Sequence, residues 1–126
     1  MNAATLARSA YTRTTRLAPS ARDTEYRLFA QVTKDLSSYS ANNPQEFARL
    51  AEALNLNNQL WTRLAADVAE PGNGLPEELR GRIFYLAEFT RVQTVRILRK
   101  EAETSILVEL NTSIMRGLKG EREPER

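Results

Sequence analysis

At 126 residues, with 41% hydrophobic and 27% charged side chains, the chain suits one globular domain rather than two domains or a disordered polymer. It contains no Cys and no His, which excludes disulfides, thiolate metal sites, cysteine nucleophiles and any mechanism that needs an imidazole. The net charge of +2 is uneven: residues 1–22 hold Arg8, Arg13, Arg16 and Arg22 with no acid, so the remainder is slightly acidic.

In chain order, residues 3–17 place Ala3, Leu6, Ala7, Ala10, Tyr11, Thr14 and Leu17 near one helical face. Much of that stripe is alanine, so the segment is expected to dock late or only with a partner. Pro19 ends the run, and Ser20-Ala21-Arg22-Asp23 reads as the capping start of a second helix. Leu28, Phe29, Val32, Leu36 and Tyr39 follow at a period near 3.6, and serines weaken its end.

Asn43-Pro44-Gln45-Glu46 marks a boundary. Asn43 is placed to cap, Pro44 to occupy the first helical position, and Glu46 to reach back to the cap. The third helix is expected over 44–69. Phe47, Leu50, Leu54, Asn57, Trp61, Leu64 and Val68 alternate in steps of three and four, the seam pattern of helices packed at shallow angles. Asn57 interrupts that seam, and a polar residue there sets register at some cost in stability.

Pro71-Gly72-Asn73-Gly74-Leu75-Pro76 closes this helix and opens a fourth over 76–101. The fourth helix is apolar on two rows. Leu79, Ile83, Leu86 and Thr90 form one; Tyr85, Phe89 and Val92 form the other. That width fits either a central helix with neighbours on two sides or one with a face reserved for another protein. Thr104 or Ser105 can cap a last helix carrying Ile106, Leu107, Leu110, Ile114 and Leu118, ended by Gly117 or Gly120. Neither Pro nor Gly divides it from its predecessor, so one bent helix is the alternative. Residues 119–126 form a charged tail. The expected fold is all-α, a single-domain bundle of about five helices over 1–118 built round an antiparallel pair, 44–69 with 76–101.

Chemistry is sparse. The glycines at 72 and 74 lack the strand and the Lys-Ser/Thr of a phosphate loop. Asp67 and Glu88 are the best-placed carboxylates, but capping or pairing with Arg63, Arg82 or Arg91 accounts for them more simply than acid–base work. A di-iron bundle site needs Glu-x-x-His pairs, which this chain cannot supply. The expectation is a non-enzymatic protein with no cofactor and no metal. Trp61 reads either as core or as a partner-binding anchor. The four N-terminal arginines read as a solvated face, or alternatively as an RNA contact, although they lack interleaved aromatics. With no long apolar run and no secretory pattern, cytosol is the expected compartment.

Five segments in order give the chain a resemblance to the FlaF family of flagellar biosynthesis regulators. They are Ala18-Pro19, Leu60-Trp61-x-x-Leu64-Ala65-x-Asp67, Leu75-Pro76-x-x-Leu79-Arg80, Leu86-Ala87-Glu88-Phe89 and Leu110-Asn111-x-x-Ile114-x-x-Gly117-Leu118. Thr104-Ser105 departs from the proline that family members often carry between the last two helices. The resemblance implies a cytoplasmic, non-enzymatic protein that acts post-transcriptionally in flagellin production, alongside the regulator FlbT. Binding flagellin as an export chaperone accounts for that role. The alternative is direct action on flagellin mRNA, or action through FlbT. The candidate groove for a flagellin terminal helix comprises Trp61, Leu64, Tyr85, Phe89 and Val92, with Leu110 and Ile114 nearby; these residues line it or form the core beneath it.

Overall fold

The structure is a computed structural model that describes residues 19–72, 74 and 76–119. It is all-helical among those residues, with α1 at Pro19–Ser38, α2 at Phe47–Ala69, α3 at Glu77–Leu98 and α4 at Ser105–Lys119. Four helices therefore stand where about five were expected, and the segment 3–17 lies outside the described residues, as does the tail beyond 119.

The boundaries differ from expectation for local reasons. Pro19 opens α1, one residue ahead of the expected Ser20, as suits a residue whose missing N–H would be unpaired in a first turn anyway, and the run 3–17 that it was expected to end lies outside the described residues. α2 starts three residues after Pro44 because residues 43–46 close a separate turn, with the Glu46 N–H donating to the Asn43 carbonyl at 2.9 Å. Asn43 Oδ1 does accept the Gln45 N–H at 2.9 Å, but the Glu46 carboxylate reaches past Asn43 to the Ser40 N–H, also at 2.9 Å.

α3 ends at Leu98, short of 101, and α4 is a separate helix. The break uses neither Pro nor Gly. Lys100 takes the left-handed conformation at φ 65°. Its N–H then donates to the Ile97 carbonyl and the Glu101 N–H to the Arg96 carbonyl, which satisfies the last carbonyls of α3 in the Schellman pattern. Thr104 opens α4, its carbonyl accepting from Leu107 and Val108.

α2 is the centre of the bundle. It supplies Leu50, Ala53, Leu54, Leu60, Trp61, Leu64 and Val68 to the core, against Phe29, Val32 and Leu36 of α1, Ile83 and Ile97 of α3, and Leu107 of α4. The antiparallel pair of α2 and α3 is present, but α3 is peripheral: it packs on α2, while α4 turns away to pack on α1. The wide apolar surface of α3 thus belongs to a helix with one buried face and one open face. Leu79, Ile83, Leu86 and Thr90 go inward; Tyr85 and Val92 go outward.

Gly81 lies in the second turn of α3 on the outward side. A Cβ there would meet nothing within 4 Å. Glycine inside a helix is unfavourable by about 0.5–1 kcal/mol relative to alanine. Gly81→Ala is therefore expected to stabilise the dilute protein by about that amount, read as a higher melting temperature; an unchanged or lower value would mean that the glycine serves the fold itself.

Candidate functional site

Two features are organised by side-chain chemistry, one inside the bundle and one outside. The inner one is a polar hub on Asn111. Its Oδ1 accepts the Trp61 indole N–H at 2.9 Å, and its Nδ2 donates to Asn57 Oδ1 at 2.8 Å and to Thr33 Oγ1 at 3.1 Å. Thr33 passes its own proton to the Phe29 carbonyl at 2.6 Å. Asn57 and Asn111 are fully buried, and Thr33 nearly so. The hub ties α1, α2 and α4 together in one register. Phe29 meets Trp61 edge-on, with ring centres 6.1 Å apart. On the other side of α2, the Thr94 hydroxyl shares its proton between Asn58 Oδ1 at 3.1 Å and the Thr90 carbonyl at 2.8 Å, which joins α3 to α2.

These bonds settle the place of two predicted groove residues. Trp61, 1% exposed, is core and not a surface anchor, and Leu64 is buried beside it. Asn57 lies buried on the seam, and its Oδ1 accepts from Asn111. Its partner Asn111 was quoted in sequence only as part of a resemblance, because a lone Asn on an apolar stripe gives no sign that it points inward. In α4, Leu107 and Asn111 form the buried line; Leu110 and Ile114 are half-buried against the core, and Ile106 is exposed. Leu110 and Ile114 share α4 with the hub, whereas Tyr85, Phe89 and Val92 lie on the outward row of α3. The structure thus divides the seven: Trp61 and Leu64 lie in the core, Leu110 and Ile114 are half-buried on α4, and Tyr85, Phe89 and Val92 lie on the outer row of α3.

The outer feature is the open face of α3. Tyr85 is 65% exposed and stacks on the half-buried Phe89 ring at 6.3 Å. Phe84, at 47%, and Val92 and Val95, both at 41%, widen the patch along the helix. Isolated exposed apolar residues are ordinary, but four on one helix, with the half-buried Phe89 stacked under Tyr85, make a grouping of the kind that marks interaction sites.

The carboxylates form no catalytic constellation among the described residues. Glu88 pairs with Arg91, Oε2 to Nη2 at 2.6 Å, and both are exposed. That hydrogen bond holds the Glu88 carboxyl below its ordinary range and raises Arg91. Among the described residues no cluster of three or more potential ligands could hold a metal ion. None of the described helices is long and apolar enough to cross a membrane. The side chains of Arg8, Arg13, Arg16 and Arg22 lie outside the described residues.

No curated protein and no solved structure matches the chain significantly. A family model described as "Flagellar protein FlaF" matches residues 7–118, which takes in all four helices but for the last residue of α4. Within that span, the Leu60-Trp61 and Leu110-Asn111 segments are joined directly by the indole-to-amide hydrogen bond. Over most of its length, then, the chain belongs to the FlaF family of flagellar proteins.

Proposed function

We propose that this protein binds flagellin as a cytoplasmic export chaperone, coupling flagellin synthesis to secretion and filament assembly, and that the outer face of α3 receives a terminal helical segment of the client. The exposed Phe84, Tyr85, Val92 and Val95, with the half-buried Phe89 among them, carry the reading. An amphipathic helix freed from its filament neighbours has an apolar face to bury, and helix-on-helix recognition reads such a face through anchors three, four and seven residues apart. Tyr85, Phe89 and Val92 have that spacing. The chemistry asked of the protein is sequestration, and it needs no catalytic group.

Calorimetric titration with monomeric flagellin, repeated after removal of flagellin's C-terminal helix and at two salt concentrations, tests this. Apolar docking predicts binding that is lost with that helix and changes little with salt. Loss of affinity with rising salt in a titration with flagellin mRNA would favour the alternative, an RNA contact through Arg8, Arg13, Arg16 and Arg22, because phosphate contacts release counterions. Binding to FlbT in place of flagellin would make that regulator the route of action.

Tyr85→Ala separates binding from folding. Truncating a central aromatic anchor costs about 2 kcal/mol of binding or more, roughly thirtyfold. Because the ring is mostly solvent-exposed, the melting temperature is expected to hold. Unchanged flagellin affinity in this variant would remove α3's outer face from the site.

A further inference from the structure

The junction between α3 and α4 is held in a strained form. Lys100 takes a left-handed backbone at φ 65°, a region that glycine enters freely and an L side chain enters at a cost. The turn is kept by the two Schellman bonds and by the Arg96 guanidinium, which donates to the Glu101 carbonyl at 3.2 Å. Its sequence favours another conformation. Residues 99–104 read Arg-Lys-Glu-Ala-Glu-Thr, all but the last good helix formers, and only Ala102 among them packs against the core. If this stretch continues as helix, the turn's backbone bonds are exchanged for helical ones and the cost at Lys100 disappears. α4 packs on α1 rather than along α3, so its departure leaves the α2–α3 pair intact. The groove it leaves is specific. The Trp61 indole N–H, Asn57 Oδ1 and Thr33 Oγ1 are all met by the one amide of Asn111, four positions after the fully buried Leu107.

We infer that the chain forms a domain-swapped dimer, in which 77–119 becomes one helix and each α4 seals the α1–α2 groove of the other copy. A straight junction carries the start of α4 about 10 Å beyond the end of α3, at 1.5 Å per residue, and so away from its own α1. The vacated groove requires an apolar residue and, one turn later, an amide that accepts from an indole and donates twice. Leu107 and Asn111 of a second copy supply both, so every hub bond reforms between chains and the hinge alone changes conformation. Exchange is slow, because the hub must open first, and the dimer grows with concentration. The swap uses the inner face of α4 and not the outer face of α3, so it stands apart from the flagellin reading.

Refolding the full chain from denaturant at micromolar and at near-millimolar concentration, followed by sedimentation velocity, tests it. A species of twice 14.3 kDa should form at the higher concentration. Its 102–104 amides, which make no backbone hydrogen bond in the closed turn, should become protected from hydrogen exchange. Lys100→Gly eases the closed turn and weakens the open helix. It should lower the dimer association constant by about a hundredfold, tenfold for each of the two hinges. Deleting residues 101–103 leaves too little chain to fold back and should make the dimer the main species even when dilute. Tyr85→Ala should alter neither mass nor exchange. A mass fixed at 14.3 kDa at both concentrations overturns the swap. So does a dimer whose 102–104 amides exchange as fast as the monomer's, which would mark a pairing of surfaces without exchange of α4. A dimer indifferent to Lys100→Gly, or a deletion variant that circular dichroism shows folded and sedimentation shows monomeric, overturns it as well.

Discussion

Trp61→Ala should remove a large share of the protein's folding stability. Removing a fully buried aromatic costs about 3–5 kcal/mol in lost transfer and cavity terms. The Asn111 amide oxygen also loses its donor in an interior that water does not reach, which adds about 1–3 kcal/mol. Domains of this size are stable by about 5–15 kcal/mol in total. A melting temperature lower by roughly 15 °C or more is expected, given about 4 °C per kcal/mol at this length. Trp61→Phe divides the effect: it keeps most of the volume and the edge-on contact with Phe29 but strands the same oxygen, so it should cost about 1–3 kcal/mol. A drop under 5 °C for the alanine variant would contradict the burial of this ring. If flagellin binding is measured, Trp61→Ala should lose it together with the fold, the opposite of Tyr85→Ala.

The second large effect is at Asn111. Alanine there leaves the Trp61 indole N–H without an acceptor and takes the only amide donor from Asn57 Oδ1 and Thr33 Oγ1. Stranded buried groups cost about 1–3 kcal/mol each, so a total near 3–5 kcal/mol is expected. Leucine should do little better, since it fills space but accepts nothing from the indole. Combining Asn111→Leu with Asn57→Leu and Trp61→Phe should cost less than the three changes summed, because both amides and the indole go together and the remaining Thr33 hydroxyl keeps its bond to the Phe29 carbonyl. Chemical denaturation of the single and triple variants measures this directly. Additive losses would show that the residues act separately and that no hub exists.

The all-helical class, the α2 seam and the two rows of α3 were legible because each rests on periodicity, which one sequence carries in full. Leu50, Leu54, Trp61, Leu64 and Val68 are buried where their spacing put them. What could not be read was which helix lies beside which. The width of the fourth predicted helix fitted either a central helix or one with a free face; α4 packs on α1 and leaves α3 half-covered, and nothing in local pattern states that choice. The end of α3 was hidden for another reason. Lys100 fills a left-handed position that sequence reading assigns to Gly or Asn, so the break had no punctuation. The site divided the same way. The row Tyr85, Phe89 and Val92 was visible as a row, but only the packing shows that it faces outward while Trp61 and Leu64 face inward.

Closure of α4 onto α1 also governs when the fold can be completed. Thr33 and Asn111 are 78 residues apart, and the contact between them joins the first and last described helices. Ordering so long an intervening chain carries an entropic cost that only finished packing repays, which slows folding relative to bundles of nearest neighbours. On the ribosome, α1, α2 and α3 emerge with Phe29 and Trp61 lacking their last cover, and the core seals only when Leu107 and Asn111 have left the exit tunnel. Translation that stops before α4 therefore yields a chain with its central apolar surface exposed, a natural substrate for quality-control proteases and not a shorter working protein.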